Sequence, residues 1–150
     1  MDLELHDMAL RLGAAVAAGM VIGLNRDLQN KPIGMRTLAL VSLGAATAAV
    51  VSIDFPGMTG HPDAVSRVLQ GLIQGIMAGI SFIGAGVILR DPRARSVEGL
   101  TTAATVWVAA ALGIACGLGA WPAVAIALTF AVLILAAVGW IERVFSRRTE

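Results

Sequence analysis

The chain has 150 residues and a net charge of +1, with 57% hydrophobic and only 14% charged residues. Soluble domains contain about 25% charged residues, so this composition excludes an ordinary soluble enzyme or binding domain and indicates a polytopic membrane protein. At ~20 residues per crossing, the length accommodates about five membrane-spanning helices joined by short connections.

The first predicted span covers about residues 3–25 and is expected to be retained in the mature protein. Its start is acidic, whereas a cleavable signal peptide begins with basic residues. Arg11 would lie ~22 Å from Arg26 along a helix, so we expect it to anchor the opposite membrane interface. Gly19 and Gly23 have the small-xxx-small spacing that lets two membrane helices approach closely.

The second span is predicted at residues 37–53 and the third at 68–89, after a turn rich in Gly, Pro and Asp. The third span is unusual because it contains several glycines. Gly71, Gly75 and Gly79 fall on one helix face, again with the spacing that permits close backbone contact in lipid. We therefore expect this helix to be buried among other helices.

The third span also carries uncharged polar residues at membrane depth. Gln70 and Gln74 lie four residues apart on one helix face, and Ser81 follows further along the helix. These side chains predict either hydrogen bonds between helices or the lining of a polar cavity, and the first interpretation is favoured.

A basic loop, Arg90 to Arg95, leads into the fourth span at residues 99–116. A turn at Gly117-Leu118-Gly119-Ala120-Trp121-Pro122 separates it from the fifth span at 122–141, because the uncharged stretch is too long for one crossing. The fourth span opens with three hydroxyl side chains, Thr101, Thr102 and Thr105.

Two residues near the fourth span need partners. Trp107 would lie ~12 Å inside the span, where its indole N–H meets no water, so we expect it to find a partner within the bundle. Glu98 stands at the membrane boundary and has two interpretations, an ion pair with Arg36 or Arg26, or plain solvation at the interface. Both interpretations stay open.

Basic residues follow the first, third and fifth spans, whereas the opposite side has only Arg67 and the terminal Arg11. By the positive-inside rule, the N-terminus is predicted to lie outside and the C-terminus in the cytoplasm. The three basic segments share one side only if there are five spans. The predicted fold class is therefore an all-α membrane protein, a bundle of five transmembrane helices.

The sequence contains no motif that indicates catalysis. It has no HExxH or CxxC motif and no P-loop, and both histidines, His6 and His61, lie in aqueous segments. We therefore expect no enzymatic activity, no cofactor, no bound metal and no nucleic-acid partner.

Several short motifs occur in the order found in a known family of bacterial membrane proteins. They are Gly23-Leu24 with Arg26, Gly34-Met35-Arg36-Thr37, Asp63 with Arg67, Gly79-Ile80-Ser81-Phe82-Ile83-Gly84-Ala85-Gly86, and Gly99-Leu100-Thr101-Thr102-Ala103-Ala104-Thr105 with Trp107. In this series the chain resembles the MgtC/SapB family of bacterial inner-membrane proteins. It departs from the family pattern at Asn25, where glutamate is usual.

The resemblance implies a multi-pass inner-membrane protein connected with growth at low magnesium and, in pathogens, with survival inside host cells. It favours a regulator of other membrane proteins over a carrier. Many members continue into a soluble cytoplasmic domain, and we expect residues 1–150 to form a single transmembrane domain without it.

Two functions remain open. In the one we favour, the chain is a non-enzymatic interaction module that packs in lipid against a second copy, as a homodimer or other homo-oligomer, or against another inner-membrane protein. In the other, it is a transporter or channel subunit for Mg²⁺ or protons, with a polar cavity near the cytoplasmic side. The candidate residues for packing or function are Arg26, Arg36, Thr37, Arg67, Gln70, Gln74, Gly75, Gly79, Ser81, Gly84, Gly86, Glu98, Thr101, Thr102 and Trp107.

Overall fold

The fold is a helical bundle, known from a computed structural model that describes residues 4–54, 62–91 and 96–146. Side chains are described within 4–54, 63–88 and 99–137. The helices are α1 (Leu5–Leu28), α2 (Met35–Ile53), α3 (Pro62–Gly86), α4 (Leu100–Gly117) and α5 (Trp121–Ser146), with two short strands, β1 (Leu89–Asp91) and β2 (Ser96–Glu98), before α4.

The predicted all-α class and the order of the helices are confirmed. Four helices, α1 to α4, are long and apolar enough to cross a membrane, whereas the apolar part of α5 with described side chains, Trp121–Ala137, is shorter. The predicted boundaries agree best for α2 and α4. Helix α3 begins at Pro62, six residues before the predicted start at 68, since Asp63 and Arg67 extend it beyond its apolar part.

A short antiparallel hairpin takes the place of the predicted basic loop before α4. Leu89 pairs with Glu98 and Asp91 with Ser96, while residues 92–95 lie outside the described part of the chain. Gly99, the residue immediately before α4, has a φ of +87°, a left-handed conformation that favours glycine. A side chain here would also collide with the Val87 carbonyl, so the connection from α3 to α4 depends on this glycine.

Helix α2 packs very closely against both α1 and α4, because each of these helices places glycines against the α2 backbone. A Cβ atom added to Gly19 of α1 would lie 2.5 Å from the Leu38 carbonyl oxygen, and one added to Gly117 of α4 would lie 2.6 Å from that of Ala46. Gly23 and Gly113 make equally close approaches, to Met35 and to Ser42. The small-xxx-small face predicted at Gly19 and Gly23 is thus confirmed as a packing face.

The buried centre of the bundle is α4, not α3. In the apolar part of α4, 56% of the residues are buried, compared with 6% in α3. Helix α3 touches the bundle through one aliphatic side, where Ile76, Met77 and Ile80 pack against α2 and α4. The prediction that α3 is buried among other helices is therefore wrong for the single chain: a Cβ atom added to Gly71, Gly75 or Gly79 would meet no atom within 4 Å.

Arg11 joins α1 to the end of α4. Its Nη1 donates to the Gly117 carbonyl at 2.9 Å, and its Nε donates to the Asp7 carboxylate at 2.9 Å. Two residues after α4, Gly119 has a φ of +72°. The Gly119 and Ala120 amides donate to the carbonyls of Cys116 and Ala115 in the last turn of α4, which is the Schellman arrangement. A cation beside these last carbonyls is favourable because they carry the negative end of the helix dipole. Arg11 is therefore more than the interfacial anchor that the sequence predicted.

Candidate functional site

The most distinctive polar contact in the bundle joins Arg26 near the end of α1 to Thr102 near the start of α4. Both residues are buried, with 3% and 2% of their surface exposed. The Arg26 Nη2 donates to the Thr102 Oγ1 at 2.5 Å, across 76 residues of sequence. A guanidinium keeps its charge in proteins, so its burial at the end of a membrane helix is costly and requires acceptors placed to receive it.

Helix α4 supplies one such acceptor, the Thr102 hydroxyl, from its first turn. The Thr105 hydroxyl is also buried and donates to the Thr102 backbone carbonyl at 2.7 Å, so it faces the same side of α4 as Thr102. On α3, Gly84 is buried, and a Cβ atom added there would contact the Ala103 side chain at 3.5 Å. The start of α4 is therefore held between α1 and the last turn of α3.

The loop from α1 to α2 is closed by Asp27. Its carboxylate accepts the Met35 amide N–H at 3.0 Å, which satisfies one of the free donors at the start of α2 and places a negative charge at the positive end of that helix. The same carboxylate occupies the space where Gly34 would carry a side chain. We call the end of the bundle formed by this loop, Arg26 and Arg36 the basic end. Lys31, in the loop, and Arg36, in the first turn of α2, are both exposed there.

The loop also contains backbone strain. Ile33 has a φ of +62°, and a β-branched residue rarely adopts this left-handed conformation. Such residues cost roughly 1–3 kcal/mol and persist only where surrounding contacts hold them. Here the Ile33 side chain packs against the core cluster that includes Ile22 and Leu38, which compensates for the strained backbone.

The other candidate residues lie elsewhere. Of the residues predicted for packing or function, only Arg26, Gly84 and Thr102 are buried. Glu98 has no described side chain, so its pairing with Arg26 or Arg36 lies outside the described part of the structure. The exposed candidates are Arg36, Thr37, Arg67, Gln70, Gln74, Gly75, Gly79, Ser81, Gly86, Thr101 and Trp107.

Trp107 contradicts the expectation that it finds a partner within the bundle. Its side chain is on the outer face of α4 with 48% of its surface exposed, and it has no hydrogen bond to the described residues. The physical reason is the orientation of α4, whose opposite face carries Thr102, Thr105 and Val106 into the core. Burial of the helix as a whole does not bury each of its faces.

Several residues that build this arrangement were missed by the sequence analysis. No role was predicted for Asp7 or Asp27, although Asp7 accepts a bond from Arg11 and Asp27 accepts one from the first amide of α2. Gly113 and Gly117 have the same four-residue spacing as Gly19 and Gly23, and that spacing would have identified them.

Chemically, the described site holds and positions helices. Its groups are a guanidinium and two threonine hydroxyls, and the described residues contain no cluster of three or more His, Cys, Asp or Glu that would hold a metal ion. The buried charge of Arg26 joins α1 to α4 at the basic end of the bundle, and the apolar contact at Gly84 adds α3.

Comparison with known proteins identifies the family. The family model described as "MgtC family" matches residues 12–144, which include Arg26, the start of α2 and the whole of α4. The chain belongs to the MgtC family. Together with its apolar helices, this membership makes it an MgtC-like multi-pass membrane protein, as the resemblance noted above implied.

Three curated relatives illustrate the relationship. The chain is 40% identical to Protein SrpB of Synechococcus elongatus over 143 residues, which is 91% of this chain and 78% of that protein. It is 36% identical to Protein SapB of Bacillus subtilis, over 91% of this chain and 59% of SapB. It is 42% identical to Protein MgtC of Salmonella typhimurium, over 73% of this chain and 43% of MgtC.

The similarity to SapB and MgtC thus covers only about half the length of each relative. No solved structure matches the chain significantly.

Proposed function

We propose that this chain is a non-enzymatic interaction module of the bacterial inner membrane, which regulates membrane processes during magnesium-limited growth and related stress. Its α3 surface packs against a second copy or another inner-membrane protein. The family membership supports the first part, and the exposed face of α3 supports the second.

The observation that carries this proposal is the composition of the exposed side of α3. Gly71, Gly75 and Gly79 have open space above them, so another helix backbone has room to approach this surface closely. Ile76 and Ile80 point the other way and pack on the bundle. Other large apolar residues of α3, Ile73, Phe82 and Ile83, are exposed, so the indication of a protein partner depends on the glycines.

Two glutamines on α3 also indicate that this face packs against a partner helix. Gln70 and Gln74 are exposed, and among the described residues neither has a hydrogen-bond partner. An amide that faces acyl chains loses its hydrogen bonds to water, so a partner helix that supplies acceptors relieves this cost. Such bonds in membrane proteins average ~0.6 kcal/mol each, so they would add modestly to the affinity for a partner helix.

The proposal also includes five membrane crossings, with the N-terminus outside. The positive-inside rule assigns the basic end, with Arg26, Lys31 and Arg36, to the cytoplasm. The surface offered by α3 is then available throughout the bilayer, where another membrane-spanning helix would meet it.

The experiment that tests the module is a Gly75→Leu substitution, with Gly13→Leu as its matched control. Neither glycine has an atom within 4 Å of an added Cβ, so a side chain at either position starts in open space. We expect Gly75→Leu to abolish oligomers in detergent or nanodiscs, measured by light scattering and chemical cross-linking, while Gly13→Leu assembles as the wild type does. Unchanged assembly of Gly75→Leu would overturn the role of this face.

The transport alternative requires a polar cavity through which an ion could pass. Gln70, Gln74, Ser81, Arg36 and Thr101 are exposed on the single chain, so a polar cavity lined by them requires a second subunit to enclose it. Purified protein in liposomes is expected to give no Mg²⁺ or proton flux above empty vesicles. Flux that Glu98→Gln reduces would favour the transporter over the module.

A further inference from the structure

An apolar groove runs between α2 and α3 and is open to the membrane. Its part nearest the basic end has a volume of about 460 Å³ and is lined by Thr37, Leu40, Val41, Gly44, Ala45, Ile76, Gly79, Ile80 and Ile83. Gly44 forms part of its floor, with no atom within 4 Å of an added Cβ. A second groove of about 690 Å³ continues past Leu40 and Gly44 towards Val51 and Leu72.

The dimensions of the first groove suit one acyl chain. From Thr37 to Ala45 it extends ~12 Å along α2, and one leaflet of a ~30 Å hydrocarbon core is ~15 Å deep. The volume of 460 Å³ lies within the ~300–1,000 Å³ typical of ligand pockets.

A basic residue next to the Thr37 end of this groove favours an anionic headgroup. Arg36 immediately precedes Thr37 at the start of α2, and both it and Lys31 are exposed without an ion-pair partner among the described residues. The Thr37 hydroxyl lines the groove and is also without a hydrogen-bond partner in the described part of the chain. The nearby carboxylate of Asp27 is already engaged by the Met35 amide.

We infer that the α2–α3 groove binds an anionic phospholipid from the leaflet at the basic end. One acyl chain lies over Gly44 between Leu40 and Ile80, and the phosphate is held at the mouth by Arg36 and the Thr37 hydroxyl. This site shares Gly79 with the assembly face of α3, whereas Gly71 and Gly75 do not line the groove.

Native mass spectrometry of the full chain tests the inference, with phosphatidylglycerol and phosphatidylcholine of identical acyl chains in equal amounts. We expect one phosphatidylglycerol to be retained about fivefold over phosphatidylcholine, since each basic residue near a headgroup contributes about that factor. Arg36→Ala should remove this preference, and Gly44→Leu should remove retention of either lipid. Arg67→Ala, the same charge change on α3, and Gly13→Leu should behave as the wild type.

A photo-reactive phosphatidylglycerol with a diazirine on its acyl chain tests the same site without any substitution. We expect cross-links to peptides containing residues 37–45 and 76–83. Equal retention of the two lipids, wild-type retention by Gly44→Leu, or cross-links confined to other faces would each overturn the proposal. A changed oligomeric state in Gly44→Leu would assign the groove to a protein helix instead, whereas Gly75→Leu should leave lipid retention unchanged even where assembly fails.

Discussion

Two adjacent threonines show how strongly position determines what a side chain does in this bundle. Thr102 is 2% exposed and accepts a bond from Arg26, whereas Thr101 is exposed on the lipid side of α4. Their chemistry is the same, so any difference in the effect of removing each hydroxyl reports the buried contact.

Thr102→Val should destabilise the protein, and Thr101→Val should not. The valine at 102 keeps the shape but leaves a buried guanidinium N–H without this acceptor, which costs about 1–3 kcal/mol. Thr101→Val is expected to change stability by less than about 0.5 kcal/mol, as surface substitutions usually do. Reversible unfolding in mixed micelles measures both. Equal stability of the two variants would contradict the role given to the Arg26–Thr102 bond.

At the scale of the helices, glycine spacing has two opposite consequences. Gly19 and Gly23 on α1, and Gly113 and Gly117 on α4, bring those helices against the backbone of α2. Gly71, Gly75 and Gly79 on α3 have the same spacing, but a Cβ atom added to any of them would meet no atom within 4 Å in the single chain. The pattern identifies a face that permits close contact, but the partner depends on how the helices are arranged in space.

Gly113→Ala therefore provides a test of the packing between α2 and α4. An added methyl group would collide with the Ser42 backbone, so we expect a loss of about 1–3 kcal/mol from overpacking. Gly44→Ala meets open space and should be neutral or stabilising by up to about 1 kcal/mol, because alanine is the better helix former. Thermal unfolding in detergent compares the two. A Gly113→Ala protein as stable as the wild type would rule out this close approach.

The same reasoning explains which features were predictable. The ends of α2 and α4 follow from hydropathy and turn residues, since lipid requires continuous apolar helix between polar boundaries. The Arg26–Thr102 bond links residues 76 positions apart, and no local spacing encodes such a contact. Trp107 and the α3 glycines were misplaced because periodicity defines the faces of a helix without stating which face meets the core.

For the whole molecule, the contacts determine the relative directions of the helices. Arg11 reaches Gly117 and Arg26 reaches Thr102, so α1 and α4 run antiparallel and are fastened at both ends. Gly113 and Gly117 approach Ser42 and Ala46 in the same order, so α2 and α4 run parallel. Gly84 meets Ala103, and Ile76, earlier in α3, packs against the cluster that includes Ala110 and Ile114, so α3 runs antiparallel to α4. Successive helices α1 to α4 therefore alternate in direction.

This alternation leads to a prediction about the two ends of the chain. If α5 also crosses the membrane, residues at the start of α1 and the end of α5 emerge on opposite sides. Single cysteines at Leu5, which is 83% exposed, and at Ser146 test this in a Cys116→Ala background. An impermeant maleimide applied to intact spheroplasts should label Leu5→Cys but not Ser146→Cys, which should react only after lysis. Labelling of both before lysis would mean an even number of crossings. The basic end would then no longer share the cytoplasmic side with the C-terminal arginines, and the charge argument for the orientation would fail.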